Sequence, residues 1–164
     1  MKKFLIFYWF NIILLFAIFY FDISPIADII NSIQTNFTSY LTSLTLPTNQ
    51  MIGDKIIIDS HYSLIIEKDC NGLIPYLFFL ASIIAFPSSL QHKLKWIIYG
   101  YITIVSINIF RIWLITKVVL QSKSNFSLAH DFIGNSLLIF TALLLFILFI
   151  KTRRLKRGDT NHHL

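Results

Sequence analysis

The chain carries a single cysteine, Cys70, set in the block Asp69-Cys70-Asn71-Gly72. A thiol attacks as its thiolate, so it needs a proton acceptor and a nearby cation or dipole to become a nucleophile. Two other polar residues stand out from an apolar background: Arg111, inside a long apolar stretch, and His130, at the start of another. A guanidinium is permanently charged and can bind an oxyanion, and an imidazole exchanges protons near neutral pH. The three together are what a cysteine peptidase or transpeptidase requires. Each alone has a plainer reading: an inert buried thiol, an arginine paired with Asp69 or Asp131, or an interfacial histidine.

Supporting residues fall at helical spacing around this trio. Asn108 precedes Arg111 by three residues and can hold its guanidinium or a substrate amide, while Gly134 follows His130 by one turn and permits close backbone approach. Asn71 and Gly72 flank the thiol just before an apolar helix whose early Pro75 suits a first turn. The amides at that helix start favour thiolate. Asp131 is adjacent to His130 and on an α-helix points away from it, so it is not assigned as the orienting carboxylate. His61 is a weaker candidate for proton transfer. One cysteine excludes an intrachain disulfide and a cysteine-rich metal site, and neither metal nor organic cofactor is indicated.

The elements that must position these groups are membrane spans. Hydrophobic residues make up 55% of the chain, aromatics 16% and charged residues only 13%, which excludes an ordinary soluble domain. A hydrocarbon core about 30 Å thick takes roughly 20 helical residues to cross. Four apolar stretches qualify, at about 4–21, 73–90, 96–119 and 132–150. The first follows Lys2 and Lys3, is long, and lacks a small-residue cleavage site, so it reads as an uncleaved signal anchor. The expected fold is an all-α membrane protein, a four-transmembrane-helix bundle. Residues 1–157 form one domain and 158–164 a flexible cytoplasmic tail.

Orientation follows from the bases, because short loops rich in Lys and Arg stay cytoplasmic. Lys2, Lys3, Lys93, Lys95 and the cluster Lys151, Arg153, Arg154, Lys156 and Arg157 fall on one side, and seven of the eight acids fall on the other. Both termini are therefore expected in the cytoplasm, with Cys70, Arg111 and His130 near the outer face of the cytoplasmic (inner) membrane. The net charge of +6 is mostly this topology signal, with some attraction to anionic lipid, and it gives little support to nucleic-acid binding.

Residues 22–72 are the only sizeable outer segment. Ile26, Ile29, Ile30, Ile33, Phe37, Tyr40, Leu41 and Leu44 recur at helical spacing opposite Asn, Ser, Thr and Gln, with Ser24 as cap and Pro25 in the first turn. The pattern predicts an extracytoplasmic amphipathic helix. Its polar face lacks Lys and Arg, which favours packing along the bundle's outer mouth over lying among headgroups. Ile56 to Ile58 and Leu64 to Ile66, around Ser60 and His61, predict a short β-hairpin that leads into Cys70 and would deliver whatever it grips to the thiol.

The blocks Asp-Cys70-Asn-Gly72, Asn108-Ile-Phe-Arg111 and Ala-His130-Asp-Phe-Ile-Gly134, in this order at the outer ends of successive helices, resemble the exosortase/archaeosortase family over roughly residues 53 to 150. The build is similar to its short, minimal-core bacterial members, with about four spans where larger members commonly have eight or more. The resemblance implies an intramembrane cysteine transpeptidase or protease acting through an acyl-enzyme. It implies substrates that are exported proteins with a C-terminal sorting signal of the PEP-CTERM kind: a short motif, a transmembrane helix and a basic tail. It makes Cys70 the nucleophile, Arg111 the transition-state stabiliser and His130 the proton-transfer residue, with the acceptor molecule open. Two rival classes stand beside it. One is a non-enzymatic membrane subunit of an export or surface-assembly complex, in which Arg111 and Asn108 join helices. The other is an anion or proton pathway, which the scattered Asn11, Thr103, Ser106, Thr116, Asn135, Ser136 and Thr141 do not line continuously.

Overall fold

The computed structural model describes residues 2–22, 24–47 and 49–159. Helix α1 (Lys2–Phe19) is followed by α2 (Pro25–Ser43), strands β1 (Met51–Ile52), β2 (Lys55–Asp59) and β3 (Tyr62–Ile65), and a 3₁₀ turn at Lys68–Cys70. Then come α3 (Leu73–Ala85), α4 (Leu90–Gln121), a 3₁₀ turn at Lys123–Asn125, a π-helical segment at Leu128–Gly134 and α5 (Asn135–Asp159). The tail expected from residue 158 lies, from 160 onward, outside the described residues.

Three of these helices are long and apolar enough to cross a membrane: α1, α4, and α5 with the segments leading into it. The second apolar stretch differs from the expected 73–90. Pro87 forces the residue before it out of the helical region, and Phe86 sits at φ −80° and ψ 131° as the end of α3. With 13 residues α3 is about 20 Å long, short of a full crossing by itself. The chain re-enters a helix at once, because the Ser89 side chain accepts the His92 N–H and caps α4. That helix begins six residues before the expected Trp96 and runs 32 residues to Gln121.

Packing divides the molecule into two halves, with the helix-bundle core inside and the sheet on the outside of it. Inside, Phe79 and Ile83 of α3, Ile104 of α4, and Leu145 and Phe149 of α5 form one apolar cluster, while Leu73, Leu77 and Ala81 meet Ile12 and Leu15 of α1 in another. Outside, the strands form an antiparallel sheet in the order β1-β2-β3, with Ile56 opposite Leu64 and Lys55 opposite Ile65. The expected hairpin is thus present and gains a third strand. Its apolar side, Ile56 with Ile66 and Leu46, packs on Ile112, one turn of α4 above Asn108.

Helix α2 packs across the end of the bundle that carries Cys70, but with its faces reversed from what packing on an apolar core would demand. Ile26, Ile29, Ile33, Phe37, Tyr40 and Leu44 are exposed, while Asn31, Gln34, Thr38, Ser39 and Thr42 are buried against the bundle. An outward apolar face suits a helix whose outside meets hydrocarbon, and the inward polar face is used to hold the loop that carries Cys70.

Candidate active site

Cys70 ends the 3₁₀ turn that joins the sheet to α3, and its N–H donates to Glu67 O at 2.9 Å. The backbone on either side is held from two directions. Asn108 Nδ2 donates to the Cys70 carbonyl at 2.8 Å, and Gln34 Nε2 and Thr38 Oγ1 donate to the Asn71 carbonyl at 3.1 and 3.2 Å. Asn71, fully buried, accepts the Leu73 N–H on its side-chain oxygen at 2.9 Å and donates to Asn31 and Thr35 of α2. Gly72 turns the chain into α3 at φ +83°, and a Cβ there would stand 3.2 Å from the Asn108 side chain. Both the positive φ and the close approach require glycine. Further out, Lys68 pairs with Asp22 at 2.8 Å and the Tyr20 hydroxyl donates to Asp69, tying the loop to the end of α1.

Arg111 is 1% exposed, the largest fully buried side chain among the described residues. Its guanidinium donates to Asn108 Oδ1 at 3.3 Å and to Asn135 Oδ1 at 3.0 Å, so neutral amides hold it, and no carboxylate among the described residues pairs with it directly. Its Nε is buried without a hydrogen-bond partner. A buried charge with an unused donor is costly by several kcal/mol unless a ligand or reaction intermediate completes it. Gly134 makes room for it: a Cβ there would fall 2.6 Å from Arg111 Nε.

His130 lies in the π-helical segment, and its Nε2 is 3.2 Å from Cys70 Sγ. On the other side of the ring, Nδ1 is 2.8 Å from Asp131 Oδ1. The expectation that Asp131 points away from His130 is therefore corrected. It assumed α-helical geometry, and the wider π turn redirects these adjacent side chains so that they meet. Ser127 Oγ donates to the second Asp131 oxygen at 2.8 Å, and the Phe126 ring stacks on the imidazole with centroids 5.2 Å apart. With Nδ1–H donating to Asp131, Nε2 is left as an acceptor facing the thiol, the arrangement a general base needs. His61 occupies the exposed β2–β3 turn, where its N–H donates to Asp59, and it does not border this site.

Sulfur, guanidinium and imidazole border one cleft of about 70 Å³, otherwise lined by Ile56, Leu64, Ile65, Ile66, Ile112, Ile115 and Phe126. Cys70 stands outside the spanning helices and is partly buried. Burial pushes its thiol above the ordinary range, Arg111 pulls it down and Asp69 pushes it up again. The resting sulfur is thus held as a thiol whose proton must leave as attack occurs, and the adjacent imidazole is where that proton can go.

Several residues of the site were not singled out by the sequence. Asn135 looked like one of a scatter of polar residues, and its place five residues after His130 became meaningful only across the π segment. Asn31, Gln34, Thr35 and Thr38 belong to the polar face of a helix expected to pack along the bundle's mouth, with no link to the Cys70 loop specified. The i, i+3, i+4 and i+7 spacing of these four was the available signal, since amides and hydroxyls in that pattern can line one buried stripe.

No curated protein and no solved structure matches the chain. A family model described as transmembrane exosortase matches residues 2–148, from the start of α1 to near the end of the apolar part of α5, and the chain belongs to that family.

Proposed function

We propose that the protein is a membrane-embedded cysteine peptidase or transpeptidase that cleaves C-terminal sorting signals of exported proteins at the outer face of the cytoplasmic membrane. The observation that carries this reading is the line Cys70 Sγ, His130 and Asp131, with contacts of 3.2 Å and 2.8 Å, beside a buried arginine with a free donor. Substrates of this kind end in a short motif, a transmembrane helix and a basic tail. Both termini of the enzyme face the cytoplasm, and α3 with the turn to α4 acts as the second of four crossings.

In the reaction His130 Nε2 takes the thiol proton as Cys70 Sγ attacks the scissile carbonyl, forming the carbon–sulfur bond of a tetrahedral intermediate. Arg111 Nε–H and the guanidinium charge stabilise the oxyanion, in a pocket of low dielectric where such a donor is worth about 10² to 10³ in rate. Collapse breaks the carbon–nitrogen bond, and His130 returns the proton to the departing amine. The acyl-enzyme is then resolved by an acceptor amine, another nucleophile or water. Asp131 keeps the imidazole in the required tautomer, and Asn108 fixes both the nucleophile's carbonyl and the guanidinium.

The test is co-expression with an exported protein bearing such a C-terminal signal, followed by detection of a thioester adduct at Cys70 in membranes. Cys70→Ala is expected to insert normally and to lose processing by a factor on the order of 10⁶. Continued processing by that variant overturns the covalent mechanism. A silent Cys70→Ser together with failed assembly of Arg111→Leu would instead support a non-enzymatic subunit.

A further inference from the structure

Successive side chains of a strand point to opposite faces, yet Leu64, Ile65 and Ile66 all border the cleft that holds Cys70 and His130. Ile65 points away from the face shared by Leu64 and its partner Ile56, so a cavity that touches all of these and Ile66, just past the strand, extends under the sheet and reaches the edge of β3. Strand β3 is the edge of the sheet and pairs only with β2 among the described residues. The pairing also says which groups are free. Ile66 N–H donates to Asp54 O at 2.9 Å, and Ile65 is opposite Lys55. Hydrogen-bonded and non-hydrogen-bonded pairs alternate in an antiparallel ladder, so Leu64 and Ile66 turn their amides toward β2 while Ile65 turns its N–H and C=O to the open edge. No segment among the described residues covers that edge, and Ile65 is 47% exposed.

An open strand edge is a template for an extended peptide. Here it borders the reactive sulfur, and the chain reaches Cys70 five residues after Ile65. The cleft's other walls decide what the peptide carries. Away from Cys70, Arg111 and His130 it is lined only by aliphatic side chains and the Phe126 ring, with no polar side chain to satisfy a carboxylate, an ammonium or an amide. Burying such a group there would leave it unpaired, whereas an aliphatic side chain would be favoured.

Resting on the peptidase reading, we propose that the scissile segment binds as an added strand on the free edge of β3, hydrogen-bonded to Ile65 N–H and C=O. The residue that contributes the scissile carbonyl then places an aliphatic side chain in the cleft. Specificity next to the cut is thus for an extended segment with a Leu-like residue, and a charged residue at that position is rejected.

The experiment uses the full-length protein in lipid nanodiscs and acetyl-Ala-Ala-Xaa chloromethyl ketones with Xaa Leu, Ala or Asp. Labelling forms a bond between Cys70 Sγ and the methylene carbon and expels chloride, while His130 accepts the thiol proton. The leucyl reagent is expected to label Cys70 at least about tenfold faster than the aspartyl one, with the alanyl reagent between. N-methylating the leucyl reagent's amides one at a time should slow labelling about tenfold at one position, the loss of one strand hydrogen bond. Equal rates for the three side chains, or no effect of N-methylation at any position, overturn the proposal. Iodoacetamide, which has no side chain to place, separates the two readings. Cys70 alkylated by it but not discriminating among the peptide reagents sinks the strand-addition site and leaves the cysteine peptidase standing, whereas processing that survives Cys70→Ala sinks the peptidase itself.

Discussion

The two sides of the reactive sulfur are built differently. Toward α2 and α4, the carbonyls of Cys70 and Asn71 are fixed by three residues, Asn108, Gln34 and Thr38, and the fully buried Asn71 side chain holds the Leu73 N–H. Toward α5, His130 belongs to a π-helical segment that follows the exposed Lys123–Asn125 turn and leads directly into α5, and its carboxylate partner Asp131 has a side chain 64% exposed. The first side is over-determined and the second is adjustable. A nucleophile that must meet a carbonyl at a fixed distance gains from a rigid seat. A base that takes a proton from sulfur and later gives one to a leaving amine gains from a ring that can rock between the two, and a π segment with wet surroundings permits that.

Substitutions on the rigid side should therefore cost stability and activity together, and those on the adjustable side activity alone. The largest combined effect is expected for Asn71→Ala. It strands the Leu73 N–H and takes the donor from Asn31 Oδ1 and Thr35 Oγ1, a loss of about 2 to 3 kcal/mol if the groups stay dry. Thermal unfolding in detergent should shift down by several degrees and processing should fall about 10²-fold. An unshifted unfolding curve would show that the α2 seat is not what holds the loop.

Gly134→Ala tests where the two sides meet. The added methyl would stand 2.6 Å from Arg111 Nε and 3.1 Å from the Ala129 carbonyl, so the guanidinium must shift from its place beside Gly134. A displacement near 1 Å typically costs about 10² in rate, and disturbing the Asn108 and Asn135 bonds of a buried guanidinium should lower stability as well, by more than alanine's helix preference returns. Full activity in this variant would remove Arg111 Nε from the oxyanion role. Asp131→Asn is expected to be milder, about 10- to 100-fold in rate with unfolding unchanged, because its partner ring loses orientation but the exposed carboxylate carries little fold energy. A drop in stability matching that of Asn71→Ala would erase the contrast between the sides.

Legibility in the sequence follows the same division. Three of the four spans, the hairpin and the meeting of Cys70, Arg111 and His130 were readable because hydropathy, β-propensity and a lone arginine in an apolar stretch are local signals. The partner of His130 was not, because adjacent residues diverge on an α-helix and nothing in Leu128 to Gly134 announces a π turn. The inward polar face of α2 was half legible. Its period is plain, but whether a polar stripe faces water or a buried loop depends on Asn71, forty residues from Asn31. The early end of α3 was signalled by Pro87, which an apolar window passes over because one proline barely changes a mean hydropathy.

The smallest effect, and the most direct probe of the charges on the sulfur, is the pH dependence of Cys70 alkylation. Burial and Asp69 push the thiol above its ordinary range and Arg111 opposes them. At a pH below the thiol's midpoint a higher pKa means less thiolate, so iodoacetamide should react slowly at neutral pH and faster as pH rises past the ordinary thiol range. Arg111→Gln removes the opposing cation, moves the midpoint up and slows alkylation at pH 8. Asp69→Asn removes an anion, moves it down and speeds the reaction, although it also frees the Tyr20 hydroxyl. Opposite signs from two substitutions distinguish electrostatics from a general loosening, which would speed both. A rate already at its plateau at pH 6 would mean a preformed thiolate–imidazolium pair, and the adjustable side would then have transferred its proton before the substrate arrives.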